Sequence, residues 1–316
     1  MASRHGSGGG NDGVNMYVYN PSNFNVNYAK TAGSVNAANV VGLSDFVNKI
    51  AGITPSTDTP LAPNYDANEH NKILRGNDIT NYFTSGKMSA ALQKGNFSNI
   101  YPGDMIIFPN EKEEGGYRTW IVGDCDYFWG NKESVVTKHH VLMANKFPII
   151  HQKFVDLPGH KGYLDSDVWK NKLPAIFNAI NSLFKGHILP HKELLVSRYS
   201  PSRDMSKNDE KGEYAATTVN LFSNTMLGIK DYNGRSETAV QIGNTAKTVS
   251  YFRMSPGSIT PQHRDDQSTN FSLLRSVSYS NGAPWRNHID YTGNHGGEGV
   301  GERSFDYCYF VYFLLY

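Results

Sequence analysis

Histidines and carboxylates are the residues of this 316-residue chain whose types could do chemistry. His139-His140, His187 with His191, His263, and His288 with His295 have the donor atoms of metal ligands or general bases. His187 and His191 stand four apart, as a helical metal pair would. Gly186 and Pro190, however, break the helix that would align them, and no metalloprotease signature with an intervening Glu occurs. Structural histidines are the expectation, with no metal and no cofactor.

Asp124 and Asp126 bracket Cys125, and Asp265-Asp266 follow His263-Arg264. A glycosidase needs two carboxylates facing each other across the scissile bond, a geometry that spacing does not supply. Turn and cap roles are expected instead. No nucleophile elbow or cysteine-protease context is present, so covalent catalysis has no support. Gly296-Gly297-Glu298-Gly299-Val300-Gly301 matches neither phosphate-loop spacing and leads into a strand, which reduces it to backbone freedom in a surface loop.

One site-like feature remains near the end of the chain. Tyr279, Asn281, Trp285, Arg286, Asn287, His288, Tyr291, Asn294 and His295 crowd one short span. Tyr and Trp offer rigid contact area and Asn offers adaptable hydrogen bonding, a composition suited to binding a protein or sugar surface. The alternative is that Trp285 and Tyr291 simply cap the core.

The elements that must position these residues can be read in order. Residues 1–13 are mostly Gly, Ser, Asn and Asp and are expected to be disordered or ordered only by a partner. Small apolar residues dominate from Asn15 to Ile50, a segment that gains a core by wrapping with identical copies or else acts as a linker. Ser44 is a candidate helix cap. Pro55 to Asn71 has linker composition, and the main domain is expected to start near Lys72.

Lys87–Gln93 predicts a short helix, followed by strands over Met105–Phe108, Arg118–Gly123 and Thr137–Met143. A long helix from Ser166 carries Trp169, Leu173, Ile176, Phe177, Ile180, Leu183 and Phe184 and is expected to lie on an apolar sheet; Pro174 kinks or restarts it and Gly186 ends it. His191–Val196 is expected to be a shorter helix. Phe271–Ser276 and the apolar run Phe305–Tyr316 frame the closing loop. The final run is expected as a strand in the middle of a sheet. The class is α+β.

Charge is nearly balanced, 30 basic against 29 acidic side chains, so no basic face for nucleic acid is announced. No apolar run reaches the roughly 20 residues of a membrane span, and the first residues lack a signal-peptide core. A soluble protein made in a cytoplasm is the expectation, with Cys125 and Cys308 as buried thiols.

Several stretches together resemble tailed-bacteriophage minor structural or fibre proteins. They are Lys72-Ile73-Leu74-Arg75-Gly76 with Tyr82–Gly86, Ile100-Tyr101-Pro102-Gly103-Asp104, Trp120–Asp124 with Asp126-Tyr127, and Thr137–Met143. Gly162–Ser166 with Trp169, His187-Ile188-Leu189 with Glu193-Leu194-Leu195, and Tyr312–Tyr316 continue the series. Asn27–Val35 is similar to junctions that join phage fibres to a virion-bound stem, and Leu274-Arg275-Ser276 to a C-type-lectin-like module. Ser272 stands where that module usually has Trp, and Tyr309-Phe310-Val311 replaces its Gly-Val-Arg-Pro approach.

The resemblance implies a virion component made in a bacterial cytoplasm: residues 1–70 as an anchoring, oligomerising stem and linker, 71–316 as an α+β head, and about 250–316 as a lectin-like closing sheet. Its implied partners are other virion proteins, two further copies in a homotrimer, and a bacterial surface glycan or protein bound by the closing loop. Nucleic acid and membrane insertion are not implied. The alternatives are a purely architectural capsid or tail component and, further off, a polysaccharide depolymerase.

Overall fold

A computed structural model describes residues 67–316 apart from 113–115, 131–135, 148, 152–161, 200–209, 230–239, 241–242, 244–246, 257–270, 281–282, 290–294 and 300–306. These belong to the second of the chain's two units, Pro63–Tyr316. The expected stem, the Ser44 cap, and His263, Asp265 and Asp266 lie outside the described residues.

The unit opens with three short helices, α1 (Ala67–His70), α2 (Thr80–Thr84) and α3 (Lys87–Leu92). Strands β1 (Met105–Ile107), β2 (Thr119–Cys125), β3 (Val141–Asn145) and β4 (Ile149–His151) follow. A 3-10 turn (Tyr163–Asp165) and a π-helical turn (Val168–Lys172) lead into α4 (Leu173–Asn181). Next come β5 (His191–Arg198), β6 (Lys211–Thr217), β7 (Val219–Leu221), α5 (Asn224–Leu227) and α6 (Ser250–Met254). The chain closes through β8 (Phe271–Ser280), β9 (Ala283–Ile289), β10 (His295–Gly299), β11 (Tyr307–Tyr309) and β12 (Val311–Leu315).

Two five-stranded sheets carry the architecture, ordered β1-β2-β3-β12-β7 and β10-β9-β8-β11-β4, with β5 and β6 as a separate pair. The first is antiparallel throughout. In the second, β11 runs parallel to β8 and antiparallel to β4. The mixed α+β class is as expected, and so is the last strand's central place, between β3 and β7.

The alternation of side chains explains the unbroken apolar run of β12. Val311, Phe313 and Leu315 join Val141, Met143, Trp120 and Val122 in one buried cluster, which α2, α3 and α4 cover with Phe83, Met88, Leu92, Ile176 and Ile180. Tyr312 and Leu314 face the other way, with Leu142 and Ala144, onto Phe222, Met226, Val249 and Phe252. A strand covered on both faces has no polar side to show in sequence. Each large buried side chain contributes about 1.5–3 kcal/mol, so this sheet is the stability centre of the unit.

Several expectations are corrected. His191–Arg198 is a strand, not a helix. Its burial alternates at His191, Glu193 and Leu195, a period of two that Leu-Leu-Val concealed. The closing loop is largely strand: Trp285 to His288 lie on β9, and Gly296 to Gly299 form β10 instead of a surface loop. The long helix begins as a π turn, because Pro174 has no N–H to close an α turn onto the carbonyl of Lys170. His139 and His140 precede β3 instead of lying within it. Residues 250–316 do not make a sheet of their own, since β11 and β12 pair with β4, β3 and β7.

Candidate functional site

Residues 72–76 and 100–104 come together at the start of the unit. Arg75 grips the fully buried Asp104 through Nε (2.9 Å) and Nη2 (2.6 Å), while the backbone N–H groups of Asn77 and Tyr101 donate to the same carboxylate. The guanidinium also lies 4.3 Å from the Tyr101 ring centroid. Asn71, expected in a linker, is buried and bound to β2. Its Nδ2 donates to Asp124 Oδ1 and Cys125 O, and its Oδ1 accepts from Cys125 N.

Asp124 uses its other oxygen to accept from the N–H and hydroxyl of Ser250, at the first turn of α6. This is a capping role, from a residue 126 positions away. Burial raises its pKa, against the opposing pull of Lys247 and Ser250. Asp126 sits at φ 52° and accepts from the backbone N–H of His140, while His139 Nδ1 is 2.6 Å from its second oxygen. Burial raises this carboxyl too, against the His139 hydrogen bond.

His140 is enclosed. Its Nδ1–H donates to Lys138 O and its Nε2 accepts from Phe128 N, which fixes the neutral tautomer. Burial lowers its pKa to about 3. His139 stacks on the exposed Trp129 ring at 4.0 Å between centroids. Burial, with Asp124, Asp126 and Asp104 nearby, pushes the Cys125 thiol up, so it is an inert core group.

A second buried cluster ties five elements together around Glu193 of β5. Arg275 Nη1 of β8 and Tyr312 OH of β12 each lie 2.5 Å from Oε2. His191 Nε2 is 2.9 Å from Oε1, and Asn220 Nδ2 of β7 donates to the same oxygen at 3.1 Å. Tyr163 OH, from the 3-10 turn, donates to Asn220 Oδ1 at 2.8 Å. Burial alone would raise the Glu193 carboxyl, but Arg275, His191 and Tyr312 outweigh it and hold it well below the usual carboxylate range. Burial lifts the phenols of Tyr163 and Tyr312, which stay neutral donors.

The residues singled out near the end of the chain are only partly gathered. Trp285, Arg286, Asn287 and His288 are consecutive on β9, and their register partners on β10 are Gly299, Glu298, Gly297 and Gly296. Tyr279 on β8 pairs with Pro284, and His295 on β10 with Ile289. Asn281, Tyr291 and Asn294 lie outside the described residues.

A concavity that the sequence did not announce is present elsewhere. A cavity of about 420 Å³ opens between the π turn, α4 and the β6–β7 junction. Trp169 and Phe177 line it half-buried, Leu173, Thr217 and Val219 lie beneath them, and Pro174 and Pro190 are exposed at its rim. The helical spacing of Trp169, Leu173 and Phe177 was the available signal, and it reads equally as an ordinary core-facing stripe.

Among the described residues no cluster of three or more His, Cys, Asp or Glu side chains could hold a metal ion. No described helix is long and apolar enough to cross a membrane. No protein-family model, curated protein or solved structure matches the chain.

Proposed function

We propose that the chain is a bacteriophage virion structural protein, a tail or head fibre or a decoration subunit, that binds a bacterial surface glycan or protein. The observation that carries this reading is how the polar residues are divided. Asp104, Asp124, Asp126, His140, His191 and Glu193 are buried and bonded inside the fold. Trp285, Arg286, Asn287 and His288 stand in sequence on one strand of a sheet continuous with that interior. A bonded interior beside a strand rich in aromatic, Arg, Asn and His residues suits display better than turnover. The virion context rests on the resemblance of the ordered series of stretches to phage structural proteins.

In this reading residues 1–70 anchor the subunit to other virion proteins and assemble it as a homotrimer, whose avidity compensates for weak single contacts. The β8–β11 sheet takes the place of the lectin-like closing module. No catalytic residue, cofactor or nucleic acid is assigned. The test is to build particles with the Trp285→Ala/Arg286→Ala variant. Normal incorporation with reduced adsorption is expected, and a protein missing from purified particles overturns the reading. Failure of assembly in the variant makes the subunit architectural instead.

A further inference from the structure

The groove beside α4 has the construction of a ligand site, and we infer that it binds an uncharged saccharide. Its volume, about 420 Å³, falls in the range of roughly 300–1,000 Å³ typical of small-molecule pockets. Trp169 and Phe177 are the aromatic residues of its lining, Thr218 and Lys170 are polar ones, and Thr217 spends its hydroxyl on Val219 O. A lining of aromatic side chains together with a threonine and a lysine matches a pyranose, which is apolar on its C–H face and polar around its rim.

Charge does not favour an anionic ligand. Lys170 is paired with Asp165 at 2.7 Å, and Lys172 lies 3.8 Å from Asp167. Both ammonium groups of the π turn are thereby compensated within the protein, and a carboxylate or phosphate entering the groove would have to compete for them. A neutral ring accepts hydrogen bonds from Lys170 without displacing Asp165.

The aromatic wall is also built in advance. The backbone N–H of Trp169 donates to Ser166 Oγ at 3.2 Å, and the Ser166 hydroxyl donates to Tyr163 O at 2.6 Å. The Trp169 ring meets Tyr163 at 5.7 Å, and the Tyr163 hydroxyl is anchored through Asn220 to Glu193. Trp169 is therefore held by the buried network, so binding loses little ordering entropy. The π turn that carries it is an irregularity of the kind often found where a helix serves a site. The inference goes beyond the virion reading and does not rest on β9. Its test uses the purified full chain, so it can fail while the virion assignment stands.

The experiment is calorimetric titration of the full chain with lactose, maltose, cellobiose and N,N′-diacetylchitobiose, alongside 3′-sialyllactose and a proline-rich peptide. At least one neutral disaccharide is expected to bind saturably. Trp169→Ala is expected to weaken it about tenfold or more, and Trp169→Phe, which keeps a ring in the same packing, by an intermediate factor. Trp129→Ala removes an exposed Trp elsewhere and should leave the affinity unchanged. If Trp169→Ala does not fold, Trp169→Phe decides alone. Absence of binding by all four neutral sugars, binding indifferent to Trp169, or preference for the sialylated sugar or the peptide overturns the inference.

Discussion

Glu193 and Asp124 are both fully buried carboxylates with several donors, yet their proton affinities move in opposite directions. Glu193 is held low and Asp124 is raised. Burial pushes both upward. The difference lies in the cation: Arg275 contacts Glu193 at 2.5 Å from inside the core, whereas Lys247 is 3.7 Å from Asp124 and half exposed. Hydrogen bonds from Asn71 and Ser250 satisfy the oxygens of Asp124 without neutralising it. Donor number alone does not set the state of a buried acid; a contacting, desolvated cation does.

The comparison can be broken most forcefully at Arg275. Arg275→Met strands Glu193 as a buried uncompensated charge and is expected to cost about 3–5 kcal/mol in urea unfolding. The double variant Glu193→Gln/Arg275→Met should recover much of that loss, since an ion pair removed whole leaves no orphan charge.

The next largest effect is in pH. The folded pKa of His140, about 3, lies below the ordinary 6.5, so between them the unfolded chain binds the extra proton. Its contribution is fully present above pH 6.5 and is lost as pH falls toward 3, on the order of a few kcal/mol. Asp124 and Asp126 act in the opposite sense, because their folded values lie above 3.8 and favour the folded state as pH falls through them. His140→Gln should flatten stability against pH from 6.5 downward, with chemical denaturation at each pH as the measurement.

Asp124→Asn is expected to cost less, about 1–2 kcal/mol at pH 7, through one opposed donor. The gap from wild type should narrow as pH falls toward the raised pKa of Asp124, where the carboxyl itself becomes neutral. Smallest is Lys170→Gln, which removes an exposed pair with Asp165. It should change stability by less than about 1 kcal/mol, which thermal unfolding can bound.

Much of the scaffold was legible because it rests on short-range patterns. Met88, Ala91 and Leu92 do share the buried face of α3, and the apolar runs at Met105, Trp120 and Val141 are strands. His191–Val196 reads as a helix because a short mixed polar and apolar stretch fits either period. The Glu193 cluster was invisible, since its partners stand 82 and 119 residues away. A turn or cap role for aspartates such as Asp124 follows from residue type, but no local rule points to Ser250. The groove was hidden because a half-buried Trp and a fully buried one have the same helical spacing.

The passage from β11 to β12 takes one residue, Phe310, and Asn145 holds the bend, donating to Tyr309 O and accepting from Val311 N. This short run closes both sheets, pairing with β4, β8, β3 and β7. On the ribosome, therefore, neither sheet can complete before residues 307–315 have emerged. Until then β3 and β7 each lack the neighbour that later separates them, an edge open to other nascent chains. Folding must close loops well over a hundred residues long, as from Val141 to Leu315, which makes it slow and late. A chain interrupted before Tyr307 would be a source of aggregate rather than a smaller folded head.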